Sequence, residues 1–103
     1  MYLFFDTETT GLPRNWKAPV SDLNNWPRLV QLAFLLYDDE GNKISEGDYI
    51  VKPDGYTIPK DASRIHGITT ERANSEGQAI AEVLQQFSSR IEQAAYQIGR
   101  AHV

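Results

Sequence analysis

The sequence predicts an α/β fold in which three strands come first and a crossover helix follows. Three observations carry that prediction. Two apolar runs, Tyr2-Leu3-Phe4-Phe5 and Leu29 to Tyr37, have the composition of strands buried on both faces. A cluster of turn formers, Asp38-Asp39-Glu40-Gly41-Asn42, joins the second run to a third. Ile80, Val83, Leu84, Phe87 and Ile91 then recur at the spacing of one helix face.

The first strand, Tyr2 to Phe5, runs directly into Asp6 and a Thr-Thr-Gly turn. Gly11 to Asn25 contains Pro13, Pro19, Asn15, Asn24, Asn25 and Trp16 and is followed by Trp26, the make-up of an ordered surface loop. The second strand is interrupted only by Gln31. Beyond the turn, Ile44 and then Tyr49-Ile50-Val51-Lys52 form the third strand, which Pro53 ends. Ile65 to Asn74 is polar and is expected to hold a short helix or turn around His66-Gly67. The long helix is expected from about Glu76 to about Ala95, with Ser75 and Gln78 three apart as a capping box requires. A crossover helix normally delivers the chain to a further parallel strand, and the sequence is expected to stop about where that strand begins. The sheet therefore reads as unfinished.

With 103 residues and 41% hydrophobic content, the chain has the size of one small domain. It has no Cys, which excludes a disulfide framework, a thiolate zinc site and a thiol nucleophile. A net charge of -4 argues against binding nucleic acid through a broad basic face. It leaves room for an enzyme that meets phosphates through metal ions. No apolar run approaches the roughly 20 residues of a membrane span, and Tyr2 to Phe5 is too short for a signal-peptide core, so a cytoplasmic location away from membranes is expected.

Asp6-Thr7-Glu8-Thr9-Thr10-Gly11 is the most informative segment. Alternate residues of an extended chain share a face, so Asp6 and Glu8 point the same way from the end of a buried strand. Two carboxylates held together repel, and each desolvated charge needs a partner. A hard divalent cation such as Mg2+ or Mn2+ resolves that conflict through oxygen ligation. Gly11 then lets a backbone or ligand approach closely. The plainer alternative is that Asp6 bonds to turn amides and Glu8 is solvated.

Phe4-Phe5-Asp6-Thr7-Glu8-Thr9-Thr10-Gly11-Leu12 resembles the first motif of the DEDD, or DnaQ-like, 3'-5' exonucleases, which include the epsilon proofreading subunit of bacterial DNA polymerase III. Val30-Gln31-Leu32-Ala33-Phe34 resembles their second strand. Ile58-Pro59 with Ala62-Ser63-Arg64-Ile65-His66-Gly67-Ile68-Thr69 resembles their I-P-x-x-A-x-x-I-H-G-I-T segment. The resemblance covers residues 2 to about 96 and points to the DEDDh branch. It implies an RNase H-like fold and a two-metal hydrolysis of the terminal phosphodiester of DNA or RNA, with Mg2+ or Mn2+ as the two ions of the complete enzyme. By the same resemblance Asp6 matches the carboxylate bridging both metals, and Glu8 matches a ligand of the metal that carries the attacking water. Thr10, Gly11 and Leu12 match positions holding the 3'-terminal nucleotide, and Asp61 and His66 match positions near the substrate. The implied partners are a single-stranded DNA 3' end or RNA and a polymerase or repair complex.

His66 has a second reading, as a cap on a turn between packed isoleucines. Arg14, Lys17 and Arg28 can be phosphate contacts or ordinary surface, and Trp16 and Trp26 can stack on bases or pack the loop onto the domain. The resemblance also implies two further carboxylates and a base histidine, and after Asp61 the chain has no Asp. Where the family continues with H-N-x-x-F-D, this sequence reads Gln97-Ile98-Gly99-Arg100-Ala101-His102-Val103. Ile-Gly-Arg-Ala-His-Val is the in-frame translation of ATC GGA AGA GCA CAC GTC, the core of a widely used sequencing adapter. Residues 98–103 are therefore expected to be a non-native tail on residues 1–97, with His102 and Arg100 carrying no functional meaning. The chain as written is expected to be an inactive N-terminal part of the domain. Two other classes fit Asp6 and Glu8 less well: an aspartyl-phosphate phosphatase, and a non-catalytic module that binds nucleic-acid ends or a protein.

Overall fold

The computed structural model describes the backbone of residues 1–102 and the side chains of residues 1–99. It contains β1 (Tyr2–Thr9), β2 (Leu29–Tyr37), β3 (Lys43–Ile50), α1 (Lys60–His66), α2 (Thr70–Glu76), α3 (Ile80–Gln93) and β4 (Tyr96–His102), in that order. The sheet order is β3-β2-β1-β4. β1 pairs antiparallel with β2 and parallel with β4, and β2 pairs antiparallel with β3. The expected α/β class is observed.

The β2–β3 turn is organised by Asp38. Its carboxylate accepts hydrogen bonds from the backbone N–H groups of Glu40 and Asn42 and from the Asn42 side-chain amide. Those donors, the Asn42 backbone first, hold the Asp38 carboxyl below its ordinary value, against a smaller desolvation effect.

One face of the sheet is covered by helices. Leu3, Phe34 and Leu36 form one buried cluster, and Leu32, Val51 and Val83 form another, with Phe5 and Phe87 packed against both. The Phe5 and Phe87 rings meet edge to face at 5.0 Å. Val30, Ile58, Ala62, Ile68 and Ala73 seat α1 and α2 against the far end of β2. Each fully buried Leu, Val or Phe contributes about 1.5–3 kcal/mol before conformational entropy is counted.

Three sequence expectations are corrected. First, the helical segment is broken. α2 ends at Glu76 and α3 starts at Ile80, so Ser75 lies within α2, and the Ala79 N-cap of α3 makes no side-chain bond. The break has a physical cause. The Gln78 N–H donates to the Ile50 carbonyl at 2.8 Å, and the Lys52 N–H donates to the Gln78 carbonyl at 2.9 Å, so the chain runs extended along the end of β3. Gly77 permits that approach, because a Cβ there would lie 2.6 Å from the Lys52 nitrogen. The cap that does form is Thr69, whose hydroxyl accepts from the Arg72 N–H at 3.1 Å. Second, only one row of the α3 stripe is covered. Val83 is fully buried, whereas Ile80, Leu84 and Ile91 remain 40–47% exposed.

Third, the sheet has a fourth strand where the chain was expected to stop. The edge of β1 offers unpaired backbone groups, and a segment leaving α3 satisfies them whatever its side chains. Tyr96 stacks on Tyr2 at 5.2 Å, and Gly99 lies against the Phe5 ring where a Cβ would overlap it. Val103 and the side chains of Arg100 and His102 lie outside the described residues.

Candidate functional site

β1 places the acidic pair. Its alternation sends Leu3 into the buried core and puts Tyr2, Phe4, Asp6 and Glu8 on the opposite face. Across the ladder these residues stand opposite Tyr37, Leu35, Ala33 and Gln31 of β2. Next along this face, Asp48 of β3 stands opposite Ala33, and its carboxylate accepts from the Gln31 side chain at 2.8 Å. Ala33 is small, so Asp6 and Asp48 line one groove with Phe4, Leu35 and Ile98. Asp48 was not singled out from the sequence; the β2–β3 register is what brings it to this face.

The register slips just past Glu8. Glu8 opposes Gln31 while Thr9 opposes Leu29, which leaves Val30 as the extra residue of a bulge. The following turn is tied by Thr9, whose hydroxyl donates to the Gly11 carbonyl at 2.9 Å and accepts from the Gly11 N–H at 3.3 Å. Gly11 adopts a φ of 149°, a conformation that disfavours any side chain, and nothing lies within 4 Å of where its Cβ would stand. The turn therefore presents open backbone. Leu12 beyond it is 63% exposed. Thr10 closes the loop base: its N–H donates to the Arg28 carbonyl at 3.0 Å, and its hydroxyl accepts from the Arg28 N–H at 2.9 Å.

His66, the last residue of α1, ties that helix to the end of β1. Its Nδ1 accepts from the Ile68 N–H at 3.1 Å, which puts the proton of the neutral ring on Nε2. Nε2 then donates to the Thr9 carbonyl at 3.2 Å. The turn-capping role of His66 is thus present, and the same ring braces the strand end beside the acidic pair. Asp61 is elsewhere. It is on the solvent side of α1, almost fully exposed and 3.7 Å from Arg64, and no hydrogen bond or ion pair joins it to β1 among the described residues.

The donor set can be tested against a divalent cation. Among the described residues the buried Asp6 Oδ1 has no hydrogen-bond partner, and Glu8 shares its face two residues on. An orphaned buried carboxylate oxygen is costly unless something positive meets it. Asp6 and Glu8 therefore fit a hard cation as two oxygen ligands. They are only part of a coordination sphere: no group of three His, Cys, Asp or Glu side chains converges among the described residues.

The family model RNase_T, described as exonuclease, matches residues 3–101. No curated protein matches the chain. Among solved structures, Escherichia coli Exonuclease I in complex with a 5cy-dA13 oligonucleotide is 28% identical, with a TM-score of 0.73. The zinc-bound form of the E. coli ExoI–ssDNA complex gives the same identity and score. The moderately thermophilic Exonuclease I of Methylocaldum szegediense, at 24% identity and a TM-score of 0.74, shares the fold. Each match covers 95% of this chain and 20% of the other, so the chain spans about one fifth of the length of these enzymes. The mixed four-stranded sheet with its three helices is the RNase H-like exonuclease fold. With only the first two and last two residues outside the family match, the chain belongs to the exonuclease family.

Proposed function

We propose that this chain carries the N-terminal part of a divalent-metal-dependent 3'-5' exonuclease site that hydrolyses the terminal phosphodiester of single-stranded DNA or RNA. The observation that supports this best is the buried Asp6 oxygen that has no hydrogen-bond partner among the described residues, on the same strand face as Glu8 and beside the open turn at Gly11. Asp6 and Glu8 hold Mg2+ or Mn2+, which when bound lowers the pKa of water and stabilises developing charge on phosphate oxygens. The chain's own groups do the positioning. The bare backbone at Gly11 admits the terminal nucleotide, exposed Leu12 offers apolar surface to its base, and His66 fixes the Thr9 carbonyl so that the strand end keeps its direction. Thr10 takes part by holding the loop base closed. The place near the substrate expected of Asp61 rests on the resemblance alone, since its side chain faces solvent beside Arg64. Assignment to the DEDDh branch and its epsilon-like members, with a polymerase or repair complex as protein partner, rests on the D-x-E and I-H-G-I-T segments.

Titration with Mn2+ followed by NMR tests the metal site. Paramagnetic broadening is expected at the Asp6 to Gly11 amides and is expected to vanish in Asp6→Asn. Its absence from the unsubstituted chain refutes the site. Because no group of three His, Cys, Asp or Glu side chains converges among the described residues, the chain alone is expected to release no 5'-mononucleotides from single-stranded DNA in Mn2+. Robust release refutes that part.

The origin of residues 98–103 in adapter sequence, with residues 1–97 as exonuclease domain, is likewise our proposal. Pairing of β4 with β1 is a backbone property and favours neither origin. Independent reads of the source locus that diverge after Gln97 support it, and reads that preserve Ile98 to Val103 overturn it.

A further inference from the structure

The loop from Gly11 to Arg28 leaves β1 immediately after the acidic pair and returns at the start of β2, so it stands at the same end of the sheet. It contains no helix or strand, yet it is held by its own bonds. Asn25, 8% exposed, uses its side-chain amide as a two-sided clamp: its oxygen accepts from the Asn15 N–H at 2.7 Å, and its nitrogen donates to the Asn15 carbonyl at 2.9 Å. The Trp26 indole N–H donates to the Pro19 carbonyl at 2.8 Å. Trp16 sits next to the clamped residue, braced by the Trp26 ring at 6.4 Å and 79°, and is 70% exposed. A large aromatic ring held in place yet left in water is a preformed contact surface, because little ordering entropy remains to be lost when something lands on it.

The charge of the loop identifies what lands there. Residues 11–28 carry Arg14, Lys17 and Arg28 against Asp22, a net of +2 in a chain whose net charge is -4. Arg14 and Lys17 lie two residues before and one after Trp16 in the chain and are exposed, and neither forms an ion pair among the described residues. An exposed ring with cations close by in the same loop matches a strand whose bases stack and whose backbone is anionic. A duplex does not fit, since its bases have no free face. We infer that Trp16, with Arg14 and Lys17, forms a second contact for single-stranded nucleic acid, in which the indole stacks on an unpaired base beyond the terminal nucleotide. This rests on the exonuclease reading for the direction of the strand, while its chemistry is independent of the metal site.

The test uses fluorescence anisotropy of a dye-labelled short oligothymidylate in EDTA, where the acidic pair binds no metal. Trp16→Ala is expected to weaken binding roughly ten-fold, and Trp16→Phe to retain most of it. Arg14→Gln and Lys17→Gln are each expected to lower the slope of log affinity against log salt by about one. Unchanged melting of Trp16→Ala excludes misfolding as the cause. Equal affinity of the unsubstituted chain and Trp16→Ala, no binding in EDTA, or equal binding of a duplex overturns the inference. So does a response of the Trp16 indole to an acidic apolar peptide but not to the oligonucleotide, which would make the loop a protein-docking surface. Failure of Mn2+ broadening at Asp6 leaves this outcome untouched, so the two readings fail separately.

Discussion

On the helix-covered face of the sheet Leu3, Leu32, Phe34 and Leu36 are at most 2% exposed, while on the opposite face Tyr2, Phe4, Leu35 and Ile98 are 37–50% exposed. The two faces are built from alternate residues of the same strands, and both are rich in apolar side chains. That is the composition of a sheet covered on both sides. The covered face supplies stability, and the open one carries Asp6 and Glu8. The acidic pair on the face with less packing is half-buried rather than enclosed in the core, at the cost of leaving apolar surface in water.

Adjacent residues of β2 report the difference between the two faces most directly. Leu36→Ala is expected to cost about 2–5 kcal/mol in urea denaturation, because it empties a fully buried site, whereas Leu35→Ala is expected to cost under about 1 kcal/mol. Equal losses would mean that the second face is covered in solution. Next in size, Asn25→Ala removes both bonds of the loop clamp and is expected to cost about 1–2 kcal/mol, with a shift of the Trp26 indole resonance as the local readout.

A smaller effect of opposite sign is expected on the open face. Asp6→Asn removes a charge whose buried oxygen has no hydrogen-bond partner among the described residues, and should stabilise the metal-free chain by about 1 kcal/mol. Added Mn2+ should then raise the melting temperature of the unsubstituted chain only. A destabilised Asp6→Asn would show that the carboxylate is already satisfied. The smallest effect concerns Asp38, whose carboxyl is held low by the Asn42 and Glu40 amides. A group lowered on folding stabilises the fold above its ordinary value and loses that contribution as pH falls through the lowered one. Stability should therefore decline as pH drops below the ordinary aspartate range, and the Asp38 share of that slope should disappear in Asp38→Asn.

Much of this was legible in the sequence because it is local. Alternation after Tyr2 to Phe5 put Asp6 and Glu8 on one face, and Asp38 to Asn42 announced the hairpin. The turn at Gly11 also followed from its neighbours. What was missed depends on contacts far along the chain. The backbone of Gln78 bonds to Ile50 and Lys52, and this breaks a helix that periodicity alone would carry back to Glu76. Asn25 looked like one more loop asparagine, because its partner Asn15 is ten residues away. Asp48 reaches the acidic face only through strand register, and the bracing of Thr9 by His66 spans 57 residues. The fourth strand was hidden for a different reason: its pairing is made by backbone, which side-chain patterns do not report.

The parallel pairing of β4 with β1 also sets an order of events. Tyr2 pairs with Tyr96, so the strand bearing the acidic pair waits 94 residues for its second neighbour. Closing that distance is the most entropically demanding step in the sheet, and the β1–β4 ladder is expected to form after the two antiparallel ones. During synthesis at about 5–20 residues per second, β1 is left with an open edge for roughly 5–20 seconds. β1, which bears Asp6 and Glu8, is thus made well before β4 and is the later of the two inner strands, β1 and β2, to have both edges covered.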